Sequence, residues 1–253
     1  MESRARSRWS IIGSHIHHHE PAPDTPALDA GPVSDCRRVA VATRDKLVRT
    51  ALDQFAAHGY NATSVQAILQ ASGVNAGSLY YFFPTKQDLL IAVLDAYRDG
   101  IRPMLVDPAW AGVADPIERV FALLGRYRFA LEITDCLYGC PIGSLALELH
   151  EPDPAVRERL AENFKAWIDV IEECFVAAGD RLPPSLDRRA LATLALATME
   201  GGVMLSRTSR TLEAFDRSVN TFRAMVDQLL TTSASAPRRK RRGRNASPEP
   251  KAL

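Results

Sequence analysis

The chain has 253 residues, 46% hydrophobic and 24% charged, enough to build one large domain or two smaller ones with a proper core, and too apolar for a disordered polymer. Its net charge of +1 hides an asymmetry: residues 237–253 hold seven Lys or Arg against one Glu, leaving 24 basic and 29 acidic residues elsewhere. The most apolar run, 190–205, is broken by Glu200 and two glycines and falls short of the roughly 20 residues a membrane span needs. The arginine-bearing start has only Trp9 to Ile12 as an apolar stretch, too short for a secretory signal. A cytoplasmic protein is expected, with its four cysteines as free thiols rather than a disulfide frame.

In chain order, residues 1–40 lack periodicity and are rich in proline and acids, which predicts a disordered extension. The tract His15, His17, His18 and His19 within it is read as incidental, and no metal site is expected. Order is expected to begin near Thr43 as an N-cap, followed by Leu47, Val48, Ala51, Leu52 and Phe55 at helical spacing and by Gly59 as a left-handed cap. Thr63 or Ser64 caps a short second helix that stops at Gly73, and Asn75 caps a third that ends before Pro84. Thr85 and Asp88 form a capping box for a long fourth helix carrying Leu89, Leu90, Val93, Leu94, Tyr97 and Ile101. Beyond it, helices are predicted at about 115–134, 141–150, 154–178, 186–207 and 211–230, and residues 233–253 form a disordered basic tail. No strand pattern appears, so the class is all-α: an N-terminal helix-turn-helix domain over 41–90 and a helical domain over 91–232.

Two short helices joined by a turn at Gly73 and preceded by a longer packing helix are the parts of a helix-turn-helix, whose later helix enters a major groove. The stretch "SGVNAGSLYYFFPTK" suits that task. Ala76, Gly77 and Ser78 keep the leading end of the third helix slim, so that it can approach base edges. Leu79 and Phe83, four apart, face inward, whereas the adjacent Tyr80 and Tyr81 cannot both do so. Lys86 adds a positive charge at a helix N-terminus that already favours phosphate. Residues 43–90 nonetheless carry only Arg44, Lys46, Arg49 and Lys86 against three acids, a thin footprint that the basic tail is suited to reinforce.

Residues 50–97, from "TALDQF" through "GY", "TSV", "SGV" and "GSLYYFF" to "TKQDLL", resemble the DNA-binding region of the TetR family of transcriptional regulators. The resemblance implies a homodimeric repressor released from a double-stranded operator by a small-molecule effector. By position, it implies that Thr63 and Ser64 hold phosphate and that Asn75, Ala76, Gly77 and Ser78 face bases. Tyr80 and Tyr81 then contact backbone or bases, and Lys86 clamps phosphate. "ATMEGGVMLSR", at 197–207, resembles the family's penultimate helix, which implies Gly201 and Gly202 at the dimer interface, the alternative being glycines that serve packing within one subunit. "DCLYGCPIGSLALEL", at 135–149, resembles the GC(P/L)xGNLA segment of a TetR subgroup that includes regulators of electrophile and oxidant response, with Ser144 where that pattern has Asn.

Cys140 precedes Pro141 at a helix start, where the dipole favours a thiolate; one reading is a depressed pKa and a sensing role, with Cys136 as resolving partner, and the other is a small buried cysteine beside a turn. A pocket near Tyr127, Trp167 and Met199 is the alternative effector site. Enzymatic activity is not expected: His150 beside Glu148 and Glu151 lacks a second histidine at ligand spacing, no phosphate loop follows a strand, and no cofactor is foreseen. A ligand-independent architectural DNA binder remains the rival reading, separable by the absence of a cavity within residues 105–230.

Overall fold

The computed structural model describes residues 32–137 and 139–235, and all its regular elements are helical; among the described residues there is no strand. They are α1 (Pro32–His58), α2 (Val65–Ser72), α3 (Ala76–Phe82), α4 (Lys86–Ile101), a π-helical turn (Arg102–Val106), α5 (Asp107–Trp110), α6 (Pro116–Ile133), α7 (Pro141–Glu148), α8 (Pro154–Ala177), a 3-10 turn (Gly179–Arg181), α9 (Arg188–Ser209) and α10 (Glu213–Ser235). The histidine tract and residues 236–253 of the basic tail lie outside the described residues.

Local chemistry sets the boundaries of the first four helices. Ser64 caps α2 by accepting from Ala67 N, and Asn75 caps α3 by accepting from Ser78 N. Thr85 and Asp88 complete the expected capping box of α4. Gly59 (φ +83°) ends α1 and Gly73 (φ +64°) ends α2, both in the left-handed region that glycine enters without a Cβ penalty. One boundary differs from expectation. Residues 32–40 are helical rather than disordered, and Thr43 is not an N-cap. It lies inside α1, its hydroxyl donating to Val39 O at 2.8 Å, as an interior Thr does when it bonds to the preceding turn.

Leu47, Val48, Ala51 and Phe55 of α1 close a small core with Ile68, Leu79, Phe83, Leu89 and Leu90, all buried. That core is the head. α4 carries the chain out of it and packs against α8, and α9 packs against both α8 and α10. The body so formed buries Leu124 and Leu131 of α6, Trp167 and Phe175 of α8, and Phe215 of α10, each worth about 1.5–3 kcal/mol relative to an exposed side chain. Cys136, Cys140 and Cys174 are free and buried. Among the described residues, no helix is long and apolar enough to cross a membrane.

Candidate nucleic-acid interface and effector cavity

Helix α3 divides its side chains sharply. Leu79 is fully buried and Phe83, just past its end, nearly so, while Tyr81 is 80% exposed and Tyr80 51% exposed. Both tyrosines therefore point outward, more than the minimum of one that their adjacency requires. Asn75, Ala76 and Gly77 are also exposed and Ser78 partly so. Ser64 lies exposed at the start of α2. On the neighbouring α1, Arg44, Lys46 and Arg49 are exposed, and the Arg44 guanidinium lies 5.5 Å from the Phe83 ring centre. The slim leading end and the tyrosine pair thus share one open surface.

Two expected phosphate ligands do not join it. Thr63 is buried, and its hydroxyl donates to Gly59 O at 2.6 Å, so it fastens the turn after α1 and is closed to a phosphate. Lys86 donates to Tyr60 O at 2.5 Å and lies 4.1 Å from the Tyr60 ring centre. Burial lowers its pKa, and the Glu148 charge partly counters this. Lys86 is a strut of the same turn rather than a free phosphate clamp.

That turn is gripped from the body. Glu148, at the C-terminal end of α7, accepts from Tyr60 N at 2.8 Å and from Asn61 N at 2.6 Å. A Cβ on Gly59 would lie 2.8 Å from its Oε2, so a larger residue there would have to displace the Glu148 carboxylate from its grip as well as adopt an unfavourable φ. Hydrogen bonds to a charged acceptor contribute about 1.5–3 kcal/mol each. The contact spans 88 residues of sequence and leaves no local signal.

The opposite end of α7 enters a buried polar cluster. Cys140 is its N-cap and Pro141 its first residue, as expected. Of the two readings of this residue, the buried cysteine holds and the thiolate is not supported. The Cys140 side chain is buried, and loss of hydration together with the Glu200 carboxylate pushes the thiol far above its ordinary value, against the hydrogen bond from Gly143 N. The magnitudes explain why: a helix terminus offers about 0.3–1 kcal/mol, whereas full burial moves a pKa by as much as about 3–5 units. Cys136 is buried too, and burial raises its thiol, so neither cysteine has the character of a fast electrophile sensor.

The alternative pocket is also closed. Tyr127 and Trp167 pack edge to face at 5.7 Å, Met199 is buried, and only about 10 Å³ remains beside Tyr127 and Trp167, room for a single water at most. The open space lies on the other side of Cys140. Between α7 and α9 is a cavity of about 450 Å³, bordered by Cys140, Ser144, Leu147, Glu200, Met204 and Arg207 among others. Glu200 Oε1 is buried there without a hydrogen-bond partner, and burial raises the pKa of its carboxyl, opposed by the hydrogen bond from Cys140. The sequence signal for this cavity is the single acid that interrupts the apolar run 190–205.

Residues 47–93 match the model for bacterial regulatory proteins of the tetR family, and residues 116–221 match that for the C-terminal domain of LmrA/YxaF-like transcriptional regulators. The HTH-type transcriptional regulator LmrA of Bacillus subtilis is 32% identical over 169 residues, covering 66% of this chain and 88% of that protein. The chain belongs to the TetR family. The HTH-type transcriptional repressor KstR2 of Mycolicibacterium smegmatis is 29% identical over 158 residues, 60% of this chain and 69% of that one. A TetR transcriptional regulator of Chloroflexus aurantiacus aligns with a TM-score of 0.65 at 27% identity, covering 76% of this chain and 97% of that one. This TetR-family chain is a DNA-binding transcriptional regulator, and its helix-turn-helix is the matched N-terminal unit.

In the C-terminal unit of this TetR regulator, the two glycines expected at a dimer interface part company. Gly202 is buried, and a Cβ there would lie 3.0 Å from the Phe215 ring and 3.2 Å from its Cα. It serves the close packing of α9 on α10 within one chain. Gly201 faces open space, with nothing within 4 Å of an added Cβ. Beside it a shallow groove runs between α9 and α10, lined by Leu194, Ala197, Leu205, Phe222 and Met225.

Proposed function

We propose that the chain is a homodimeric repressor whose hold on its operator is broken by a small molecule entering the cavity between α7 and α9. The observation that carries this reading is the placement of α7. Cys140 at its start borders the cavity, and Glu148 at its end grips the turn at Tyr60 and Asn61 that supports the head. Eight helical residues span about 12 Å, so a shift at one end is delivered to the other. Ser64, Asn75–Ser78, Tyr80 and Tyr81 form the DNA-facing surface, with Arg44, Lys46 and Arg49 supplying charge beside it. Two copies join through the outward faces of α9 and α10, where Leu194 and Leu205 are exposed around Gly201, because a half-site reader gains specificity from a second copy at fixed spacing.

The cavity favours this reading over a ligand-independent architectural role, and the buried, high-pKa thiols disfavour an electrophile switch. Footprinting on the DNA flanking the chain's own gene tests it. The expected result is a protected stretch containing two inverted half-sites, with a particle in light scattering of twice the chain mass. Absence of protection, or protection without sequence preference, removes the repressor reading. Gly201→Arg is the variant that reports on the dimer, since Gly202→Arg strikes Phe215 and disturbs the fold instead.

A further inference from the structure

The cavity between α7 and α9 has a definite chemical polarity. Its walls are mostly apolar, from Ala146, Leu147, Phe164, Val203 and Met204. On one side Glu200 borders it, with its Oε1 buried and unpartnered. Two helical turns further along α9 is Arg207, and Arg210 follows as the residue just past the end of the helix. The Arg207 guanidinium donates to Ser144 Oγ at 3.1 Å, and that of Arg210 to Cys136 O at 3.1 Å. Among the described residues, no carboxylate stands within 4 Å of either, whereas Arg128, Arg189 and Arg223 of the same body are each paired with acids.

Charge decides the class of occupant. A cation drawn to Glu200 would share the cavity with two guanidinium groups, and burial already biases the Glu200 carboxyl toward its neutral form. The lining therefore has a positive balance at one end and a hydrogen-bond acceptor at the other. Seven residues of helix separate Glu200 from Arg207, about 10 Å along the axis, close to the length of a two-ring aromatic body with its substituents. A cavity of about 450 Å³ lies within the range of small-molecule pockets, about 300–1,000 Å³.

We propose that this cavity binds an organic anion with an apolar, two-ring-sized body and an N–H or O–H donor at the far end. Arg207, with Arg210 beside it, holds the anionic group through charge-assisted hydrogen bonds. The Glu200 carboxyl group, which borders the cavity, accepts from the donor. The inference rests on the effector-cavity reading given above but concerns binding alone.

The test uses the full chain without DNA and two fluorescent probes of one shape, 6-anilinonaphthalene-2-sulfonate and its neutral counterpart N-phenyl-2-naphthylamine. The sulfonate is expected to bind saturably with one site per chain. Arg207→Gln should weaken the sulfonate by about tenfold or more, the worth of a charge-assisted pair, and leave the neutral probe within about twofold. Glu200→Leu should weaken both probes, since both carry the N–H, whereas Glu200→Gln keeps an acceptor and should retain both. Melting curves confirm that each variant is folded. Equal sulfonate affinity in the wild type and Arg207→Gln, or no saturable binding by the wild type, overturns the anion assignment. Unchanged affinities in Glu200→Leu overturn the donor assignment. A chain that footprints an operator yet ignores the sulfonate sinks only this inference, and one that binds the sulfonate yet protects no DNA sinks only the repressor reading.

Discussion

In the head, polar groups are served by near neighbours. Ser64 takes the N–H of Ala67, Asn75 that of Ser78, and Thr85 and Asp88 serve each other. In the body, Trp167 Nε1, Asn163 Oδ1 and Glu200 Oε1 are buried with no partner, and no such atom occurs in the head among the described residues. Apart from the Tyr60 and Asn61 amides, which Glu148 of the body serves, the head is internally complete and leaves one outer surface open for a partner. The body is internally incomplete, and one of these residues, Glu200, borders a cavity. Groups left unsatisfied in a native fold call for an explanation, and the one at Glu200 lies in a residue that also borders the cavity.

The contrast breaks most sharply at α3. Leu79→Ala should cost about 2–5 kcal/mol, as for other core leucines, and Tyr81→Ala no more than about 0.5 kcal/mol, as for an exposed site. Urea denaturation of the two variants measures the difference. A comparable cost for both would make Tyr81 a packing residue and take away the open surface.

The link between the regions comes next. Glu148→Ala removes two hydrogen bonds to a charged acceptor, an expected loss of about 3 kcal/mol or more concentrated at one turn. Amide hydrogen exchange should therefore quicken about tenfold or more at Tyr60 and Asn61, while the amides of α9 keep their protection. Unchanged exchange at those two amides would mean that α7 does not hold the head in solution.

How far the sequence discloses this arrangement follows the same division. The capping residues of the head act over three positions, so Ser64, Asn75, Thr85 and Gly73 mark their helix ends directly. In the body, Pro116–Ile133 and Pro154–Ala177 fall within a residue of the expected 115–134 and 154–178, because proline starts and apolar periodicity are also local. The π-helical turn at Arg102–Val106 has no such marker, and the N-terminal reach of α1 to Pro32 was hidden by weak periodicity. Thr63, Lys86 and Gly202 carried family-like identities, yet their atoms are committed to Gly59, Tyr60 and Phe215. Cys140 stands at its expected helix start, but its pKa depends on Glu200, 60 residues away, and on burial, neither of which a short motif contains.

Glu200 gives a smaller effect with a defined sign. Its folded-state pKa is raised by burial, so the folded chain holds its proton more tightly than the unfolded one. That contribution is complete below the ordinary Glu value of about 4.3 and is lost as pH rises through the folded pKa. Glu200→Gln should therefore be more stable than the wild type at neutral pH by about 1 kcal/mol, with the gap closing as pH falls toward about 4. Thermal melts across that range check it, and a gap independent of pH would mean that the carboxyl is solvated.

The smallest effect concerns residues 236–253. Ending the chain after Ser235 removes seven basic residues and one acid, which should lower low-salt affinity for random DNA more than it alters the preference for operator. Equal gel shifts on random DNA would leave the basic run without a part in binding.

The head's open surface is the central claim, and fluorescence anisotropy on the footprinted operator tests it most directly. Tyr81→Ala, folded and as stable as the wild type, should bind that operator about tenfold or more weakly, a loss of about 1.4 kcal/mol or greater. Wild-type affinity in that variant, with the fold intact, would contradict the assignment of α3 as the DNA-reading helix.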